Sequence, residues 1–159
     1  MKAYRDRFWT KAARGTLLSA SIFLSGLQAQ TSHFDPVAGP GLAYHIVGSQ
    51  ATVNGRLLSP NDEIGVFDGS LCVGAAMYTG ANMSIATWQA DANQGLQGFT
   101  PGNPVSYKVW VNHYGQYIEL GTTATYQIGN GTFGDGVYTV ASLAATSSQN
   151  SHPLPSGWH

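Results

Sequence analysis

Charged side chains are scarce in this sequence, and they are unevenly distributed. Only 9% of the 159 residues are Asp, Glu, Lys or Arg, against about a quarter in an ordinary soluble domain. Five of the seven basic residues precede residue 15, so Arg56 and Lys108 are the only basic residues after residue 29. From residue 30 onward two basic residues face seven acidic ones, a formal charge of −5. A nucleic-acid partner is not expected, because almost nothing remains to neutralise phosphates.

Cysteine is also scarce, because Cys72 is the only cysteine in the chain. An intrachain disulfide is therefore impossible, which leaves an intermolecular bridge or a buried free thiol. Cys72 lies between Leu71 and Val73 in an apolar run. A free cysteine in such a run behaves as a small hydrophobic residue. The sequence favours burial over bridging.

Spacings typical of catalytic or metal sites are also missing. The five histidines show no metal-ligand spacing, and neither a Gly-x-Ser-x-Gly nor a His-Glu-x-x-His motif occurs. The densest acidic group is Asp62, Glu63 and Asp68, too few for the roughly six oxygen ligands of calcium. Strand alternation would also send Asp62 and Glu63 to opposite faces. We predict turn and edge roles for these acids, and a protein that is not an enzyme and has no cofactor or metal.

The first 29 residues have the pattern of a secretory signal peptide. A basic start is followed by the short apolar run 17–24, LLSASIFL, and by small residues that offer cleavage after Ala29. The run is too short to span a bilayer; an amphipathic surface helix is the alternative. We therefore predict a secreted or cell-surface protein whose mature chain, residues 30–159, has no membrane span.

The stretch 61–78, NDEIGVFDGSLCVGAAMY, predicts a β-hairpin. Asp68-Gly69 suits a type I′ turn, and a two-residue loop there would place four branched apolar residues on one face, towards a core. They are Ile64, Val66, Leu71 and Val73, with Val66 opposite Leu71 and Ile64 opposite Val73. The other face would carry Gly65, Phe67, Cys72 and Gly74. One buried and one partly covered face are typical of an inner strand pair.

Short alternating segments continue along the chain. Turn signals separate eight or nine predicted strands between residues 42 and 145, without helical periodicity. The segment 105–112 alternates most clearly, which predicts Lys108 and Trp110 on an outer face. This pattern predicts an all-β antiparallel sandwich, immunoglobulin-like or jelly-roll-like, with an up-and-down barrel as the alternative. The domain (42–145) would lie between an extended entry segment (30–41) and a polar tail containing prolines (146–159).

Three blocks of sequence resemble a known module. NDEIGVFDGSLCVGAA (61–76), GFTPGNPVSYKVW (98–110) and SHFDPV (32–37) are similar to an immunoglobulin-like β-sandwich module that recurs in large secreted and surface proteins of Bacteroidetes and related bacteria. The resemblance implies a bacterial, extracellular domain to which no activity of its own is attached. Family members usually carry several acids after the tryptophan equivalent to Trp88, whereas here only Asp91 follows, which argues against calcium. The module occurs here as a single copy, so repetition is expected from assembly.

The composition of the mature chain favours self-association. A charge-poor exterior rich in hydroxyl and amide groups lacks the repulsion that keeps monomers apart. We therefore expect a structural subunit of a fibre, filament or matrix, linked to other copies by exchange of a strand or tail. The candidate assembly residues are Phe34 and Pro36 in the entry segment, and Pro153, Pro155 and Trp158 in the tail.

A carbohydrate-binding or adhesive module is the alternative function. Aromatic faces on a sheet can stack on the sugar rings of an extracellular polysaccharide, and four aromatic residues are candidates. They are Trp88, Trp110, Tyr114 and Tyr117. The competing interpretation is that the two tryptophans fill the core or a subunit interface, where large aromatic residues are common.

Overall fold

The computed structural model describes residues 32–39, 41–113 and 115–148. The predicted signal peptide, Tyr114 and the tail residues Pro153, Pro155 and Trp158 lie outside this described part. Within it the chain forms eight strands and no helix, so the all-β prediction is confirmed. It follows that none of the described residues belongs to a helix with the length and apolarity of a membrane span.

The strands are longer in two places than the sequence predicts. The sequence predicts separate strands at 42–47 and 51–53, which are joined through Gly48 into one strand, and at 116–120 and 123–128, which are joined through Gly121. The strands are β1 (Ala43–Val53), β2 (Arg56–Leu57), β3 (Glu63–Asp68), β4 (Leu71–Met77), β5 (Met83–Trp88), β6 (Val105–His113), β7 (Gln116–Ile128) and β8 (Tyr138–Ala145). Both joins occur at glycines, which pack no side chain and so allow an irregularity or a bend within a strand.

The eight strands form one curled sheet of mixed direction. Hydrogen-bonded neighbours follow the order β2-β1-β8-β7-β6-β3-β4, and β5 pairs with β1. All pairings are antiparallel except that of β1 with β8, which is parallel. The prediction of a purely antiparallel sheet is therefore wrong at this pairing. A parallel pair needs a long crossover connection, and here the strands β2 to β7 supply it.

A single hydrophobic core lies on the inner face of the curled sheet. The predicted alternation of β6 is confirmed, because Val109 and Val111 are buried while Lys108 and Trp110 are partly exposed. The largest fully buried apolar side chains are Phe99, Phe133, Ile46, Ile64, Ile85, Val66, Val73 and Val109. Phe99 and Phe133 stack with 4.6 Å between their ring centroids. The outer face of β3 and β6 remains available for other contacts.

The central hairpin has its predicted core face but not its predicted register. The loop is Gly69-Ser70, because Asp68 pairs with Leu71 instead of entering the turn. A bulge near Val73 then adds one residue to β4, which reverses the alternation of faces in the residues that follow it. The predicted core residues keep their face, because Ile64, Val66 and Val73 are fully buried and Leu71 packs at the edge of the core. Gly74 pairs with Val66 and so lies on the inner face, contrary to the prediction.

Two edge strands, β4 and β5, pack against each other without forming a ladder in the described sheet. They lie close together at Gly74, where a Cβ atom would lie 2.5 Å from the carbonyl oxygen of Ala86 and 2.8 Å from Thr87 Cγ2. We call this contact the β4–β5 seam. Because hydrogen bonds do not hold the seam, side-chain packing and the absence of a side chain at Gly74 must do so.

Tyr107 offers a test of the core. Its hydroxyl is buried without a hydrogen-bond partner in the described part of the chain. Burial, followed by the nearby Tyr126, raises the pKa of Tyr107 above its ordinary value of 10. We expect Tyr107→Phe to raise the free energy of unfolding by about 1 kcal/mol at neutral pH, because it removes a desolvated hydroxyl.

The gain should grow above pH 10, the ordinary pKa of tyrosine. Above this pH, Tyr107 ionises in the unfolded wild-type chain but stays neutral in the folded one, so the free energy of unfolding of the wild type falls. Tyr107→Phe has no hydroxyl at this position and does not lose this stability. Urea unfolding at neutral and alkaline pH measures both effects. Tyr138→Phe, at a residue 41% exposed, is the matched control. Lower stability of Tyr107→Phe at neutral pH would contradict the expectation.

Candidate functional site

Residues 32–39, the described part of the entry segment, cross the outer face of the sheet without forming a strand. We call them the strap. The strap contacts four strands in turn, and these strands include both sides of the β4–β5 seam. The contacts join His33 to Trp110 on β6, Phe34 to Gly65 on β3, Val37 to Cys72 on β4 and Gly39 to Trp88 on β5. The strap therefore covers the outer face and closes over the seam.

Glu63 on β3 anchors the strap with a buried carboxylate. The residue is 1% exposed, and its Oε2 atom accepts hydrogen bonds from the backbone N–H groups of His33 at 2.6 Å and Phe34 at 3.3 Å. The hydroxyl of Ser32 donates to Oε1. A buried carboxylate without donors would be strongly unfavourable, and all three of these donors belong to the strap. Glu63 and the strap therefore stabilise each other.

Contacts between aromatic rings also join the strap to the sheet. The imidazole of His33 stacks on the indole of Trp110, with 3.7 Å between ring centroids and 5° between planes. Tyr117 stacks on Trp110 at 5.6 Å, and Phe34 meets Phe67 edge-on at 5.5 Å. Phe34 is 5% exposed, so burial of its ring contributes about 1.5–3 kcal/mol to docking.

A small ion network lies beside the stacked rings. The carboxylate of Glu119 on β7 accepts a hydrogen bond from Lys108 Nζ at 2.8 Å and lies 3.0 Å from His33 Nε2. These contacts, that of Lys108 first, hold the pKa of Glu119 below its usual value. Lys108 Nζ also lies 4.9 Å from the ring centroid of Phe67. Exposed pairs of this kind add little stability, so they contribute little to holding the strap.

Cys72 lies half-buried beside the strap as a free thiol. Its carbonyl accepts a hydrogen bond from the N–H of Val37 at 3.0 Å. Burial raises the pKa of the Cys72 thiol, and the nearby carboxylates of Glu63 and Asp35 raise it further. Both effects slow reaction with thiol reagents. Because Val37 lies against Cys72, we expect departure of the strap to expose the thiol, so that faster labelling of Cys72 indicates undocking.

Gly65 lies directly beneath the ring of Phe34. A Cβ atom at Gly65 would lie 2.8 Å from Cγ of Phe34, so Gly65→Ala should displace the ring and release the strap. The expected cost is about 1.5–3 kcal/mol of unfolding free energy, the value of burying Phe34. Faster labelling of Cys72 at constant pH measures the release. Gly121→Ala, where the new Cβ meets nothing within 4 Å, is the control, and equal labelling rates in the two variants would contradict the expectation.

The sequence-predicted site residues are only partly brought together. Trp110 and Tyr117 are neighbours, but Trp88 lies on β5, which pairs with β1, while β6 lies between β7 and β3. Both tryptophans are half-buried and contact the strap, so they do not form an open platform together. Phe34, predicted to contact a neighbouring copy, packs on its own domain, and Pro36 follows it half-buried.

The carboxylates of Asp62 and Asp68 bind backbone and side-chain groups of neighbouring segments, although Asp68 lies in the ladder and not in the predicted turn. Asp62 accepts hydrogen bonds from the backbone N–H groups of Ser59 and Asn112. Asp68 accepts hydrogen bonds from the N–H of Thr100 and the amide of Asn103. Glu63, for which a turn or edge role was predicted, is instead buried and binds backbone groups about 30 residues away, which no spacing pattern signals.

No family model, curated protein or solved structure matches this chain. Within residues 32–39, 41–113 and 115–148, no group of three or more His, Cys, Asp or Glu side chains is placed to hold a metal ion. A cleft of about 250 Å³ lies between Asn54, Arg56, Leu57 and Val111. The strap and the face beneath it share several specific hydrogen bonds and ring contacts, and the function is best inferred from them.

Proposed function

We propose that this protein is a non-enzymatic extracellular structural subunit that assembles into a fibre, filament or matrix by exchanging a terminal segment between neighbouring copies. The observation that supports the proposal is the docked strap. It is held by hydrogen bonds to one carboxylate and by ring contacts, and it adds no paired strand to the sheet. A second copy can offer the same contacts, which makes exchange possible at little cost in contact energy.

The position of the strap in the chain also favours exchange. If residues 1–29 are removed as a signal peptide, the strap lies at the new N-terminus and one of its ends is free. Gly39-Pro40-Gly41 then connects it to β1. Glycine permits a change of backbone direction, and proline disfavours a compact helical link before it. The net charge of −5 on the mature chain opposes close packing of copies only weakly.

The fold we propose is an immunoglobulin-like sandwich, and the pairing of β7 supports it. Residues 116–121 of β7 pair with β6, whereas residues 122–128 pair with β8. A strand that changes partner in this way connects two layers around one core. The resemblance of the three sequence blocks to the Bacteroidetes surface module agrees with this fold and with an exported, bacterial protein.

Electron microscopy of the mature chain, residues 30–159, tests the function. We expect uniform filaments after dilution from denaturant at high protein concentration. Phe34→Ala should prevent them, and truncation after residue 148 should not. If the truncation prevents filaments and Phe34→Ala does not, the tail is the exchanged segment. Isolated particles of the wild-type chain at every concentration would contradict the structural-subunit proposal.

A carbohydrate-binding or adhesive module is the second candidate, favoured by the exposed part of the aromatic stack. Tyr117 is 42% exposed and stacks on Trp110, and the nearby Glu119 and Lys108 could hydrogen-bond to sugar hydroxyls. Retention of the wild-type chain on an insoluble polysaccharide, lost in Tyr117→Ala and kept in Tyr138→Ala, would support this function. Equal retention of both variants would contradict it.

A further inference from the structure

The face beneath the strap is complementary to a particular tripeptide. Glu63 and Trp110 are direct cross-strand partners on β3 and β6, and Gly65 and Phe67 follow Glu63 on the same face of β3. We call these four residues the acceptor face. The carboxylate receives the hydroxyl and two N–H groups of Ser32-His33-Phe34, the indole receives the imidazole, and the gap at Gly65 receives the phenyl ring. Each group of the tripeptide therefore has its own partner.

An acceptor face without its strap would bind another segment of the same kind. Without the strap, Glu63 loses three hydrogen-bond donors and the rings of Phe67 and Trp110 lose their covering partners. The tethered strap competes at an effective concentration on the order of millimolar, as for a short flexible linker. Replacement by the strap of another molecule is thus favoured where copies are concentrated.

We infer that the acceptor face binds residues 32–39 of a second copy of this chain, and that Glu63 determines which segment it accepts. This inference rests on the proposed function and names its partner and its recognition chemistry. The bound segment must present two consecutive backbone N–H groups to one carboxylate. Proline cannot supply one, so it is excluded at the positions of His33 and Phe34 but allowed at Pro36.

The sequence of the tail is an example of a segment that this selectivity would exclude. Residues 151–153 read Ser-His-Pro, where the strap reads Ser-His-Phe at 32–34. The tail thus repeats the hydroxyl and the imidazole, but Pro153 has neither the N–H group nor the phenyl ring that Phe34 provides. The acceptor face should therefore select the strap over the tail, although both carry the same first two residues.

Mixing two complementary variants of the full mature chain tests the inference. Glu63→Gln keeps a normal strap but has a defective acceptor face, and His33→Ala/Phe34→Ala keeps a normal face but has a defective strap. Each variant alone should remain monomeric. Their equimolar mixture should form one-to-one dimers and nothing larger, because the dimer has no intact strap or face left to continue. Native mass spectrometry and light scattering measure the product.

The outcomes separate the inference from the proposed function. Wild-type filaments together with a mixture that stays monomeric, or filaments formed by either variant alone, would overturn the inference and leave self-assembly standing. Absence of wild-type filaments would overturn the function itself. Gly65→Ala replaces Glu63→Gln as the acceptor variant if the latter does not fold. Tyr138→Phe, at an exposed residue on β8 outside the strap contacts, should assemble like the wild type, so its failure to assemble would also count against the inference.

Discussion

Glu63→Gln should release the strap while the core stays folded. The amide has no charge and only one acceptor oxygen, so it cannot accept hydrogen bonds from both N–H groups and the Ser32 hydroxyl as the carboxylate does. We expect the free energy of unfolding to fall by about 2–4 kcal/mol, from the loss of hydrogen bonds to a buried charge. The loss of unfolding free energy should not exceed this range, because water can hydrogen-bond to the N–H groups of a released strap. Urea unfolding measures the loss, and the labelling rate of Cys72 measures the release.

Glu119→Gln is the matched control for this substitution. Glu119 contacts His33 and Lys108 at the surface, and an exposed pair of this kind contributes at most about 1 kcal/mol. Its unfolding free energy and Cys72 labelling should stay close to the wild-type values. If Glu63→Gln behaved in the same way as this control, Glu63 would not be the anchor of the strap.

Gly74→Ala should force the β4–β5 seam apart. The new Cβ atom would lie 2.5 Å from the carbonyl oxygen of Ala86, and a backbone atom cannot rotate out of the way as a side chain can. We expect a loss of about 3 kcal/mol of unfolding free energy, the upper end of the usual overpacking cost. Backbone N–H groups of β4 and β5 should also exchange hydrogen with solvent faster.

Gly121→Ala provides the comparison for the seam. Gly121 lies inside β7, has no positive φ, and an added Cβ would meet nothing within 4 Å. Replacement of such a glycine usually leaves stability unchanged or raises it by about 0.4–1 kcal/mol through the unfolded state. Equal changes in stability for Gly74→Ala and Gly121→Ala would show that tight packing at Gly74 does not hold β4 against β5.

Which residues face the core could be predicted from the sequence, because alternation depends only on neighbouring residues. The inner position of Val109 and the outer position of Trp110 follow from this rule. The hairpin loop could not be predicted in the same way. Asp68 uses its carboxylate to hold Thr100 and Asn103, a contact that keeps Asp68 in the ladder and moves the loop to Gly69-Ser70.

The contacts of the candidate site depend on distant parts of the chain, which limits what the sequence could predict. Phe34 was predicted to be an assembly residue that contacts a neighbouring copy, but its position over Gly65 requires the fold of β3. The burial of Glu63 likewise could not be predicted, because it depends on hydrogen-bond donors from Ser32 and His33, which are distant in the sequence. The parallel pairing of β1 with β8 joins residues more than 90 positions apart, beyond the reach of any local pattern.

In the proposed filament, the asymmetry of the strap contact would give growth a direction. A strap and its acceptor face are different surfaces, so each joint is heterologous and does not close on itself. One terminal subunit would present a bare acceptor face with Trp110 uncovered, and the other would present a free strap. A synthetic peptide with the sequence of residues 30–41 would therefore block elongation at one tip and leave the opposite tip growing. Any ligand of the exposed indole would likewise bind at a single tip.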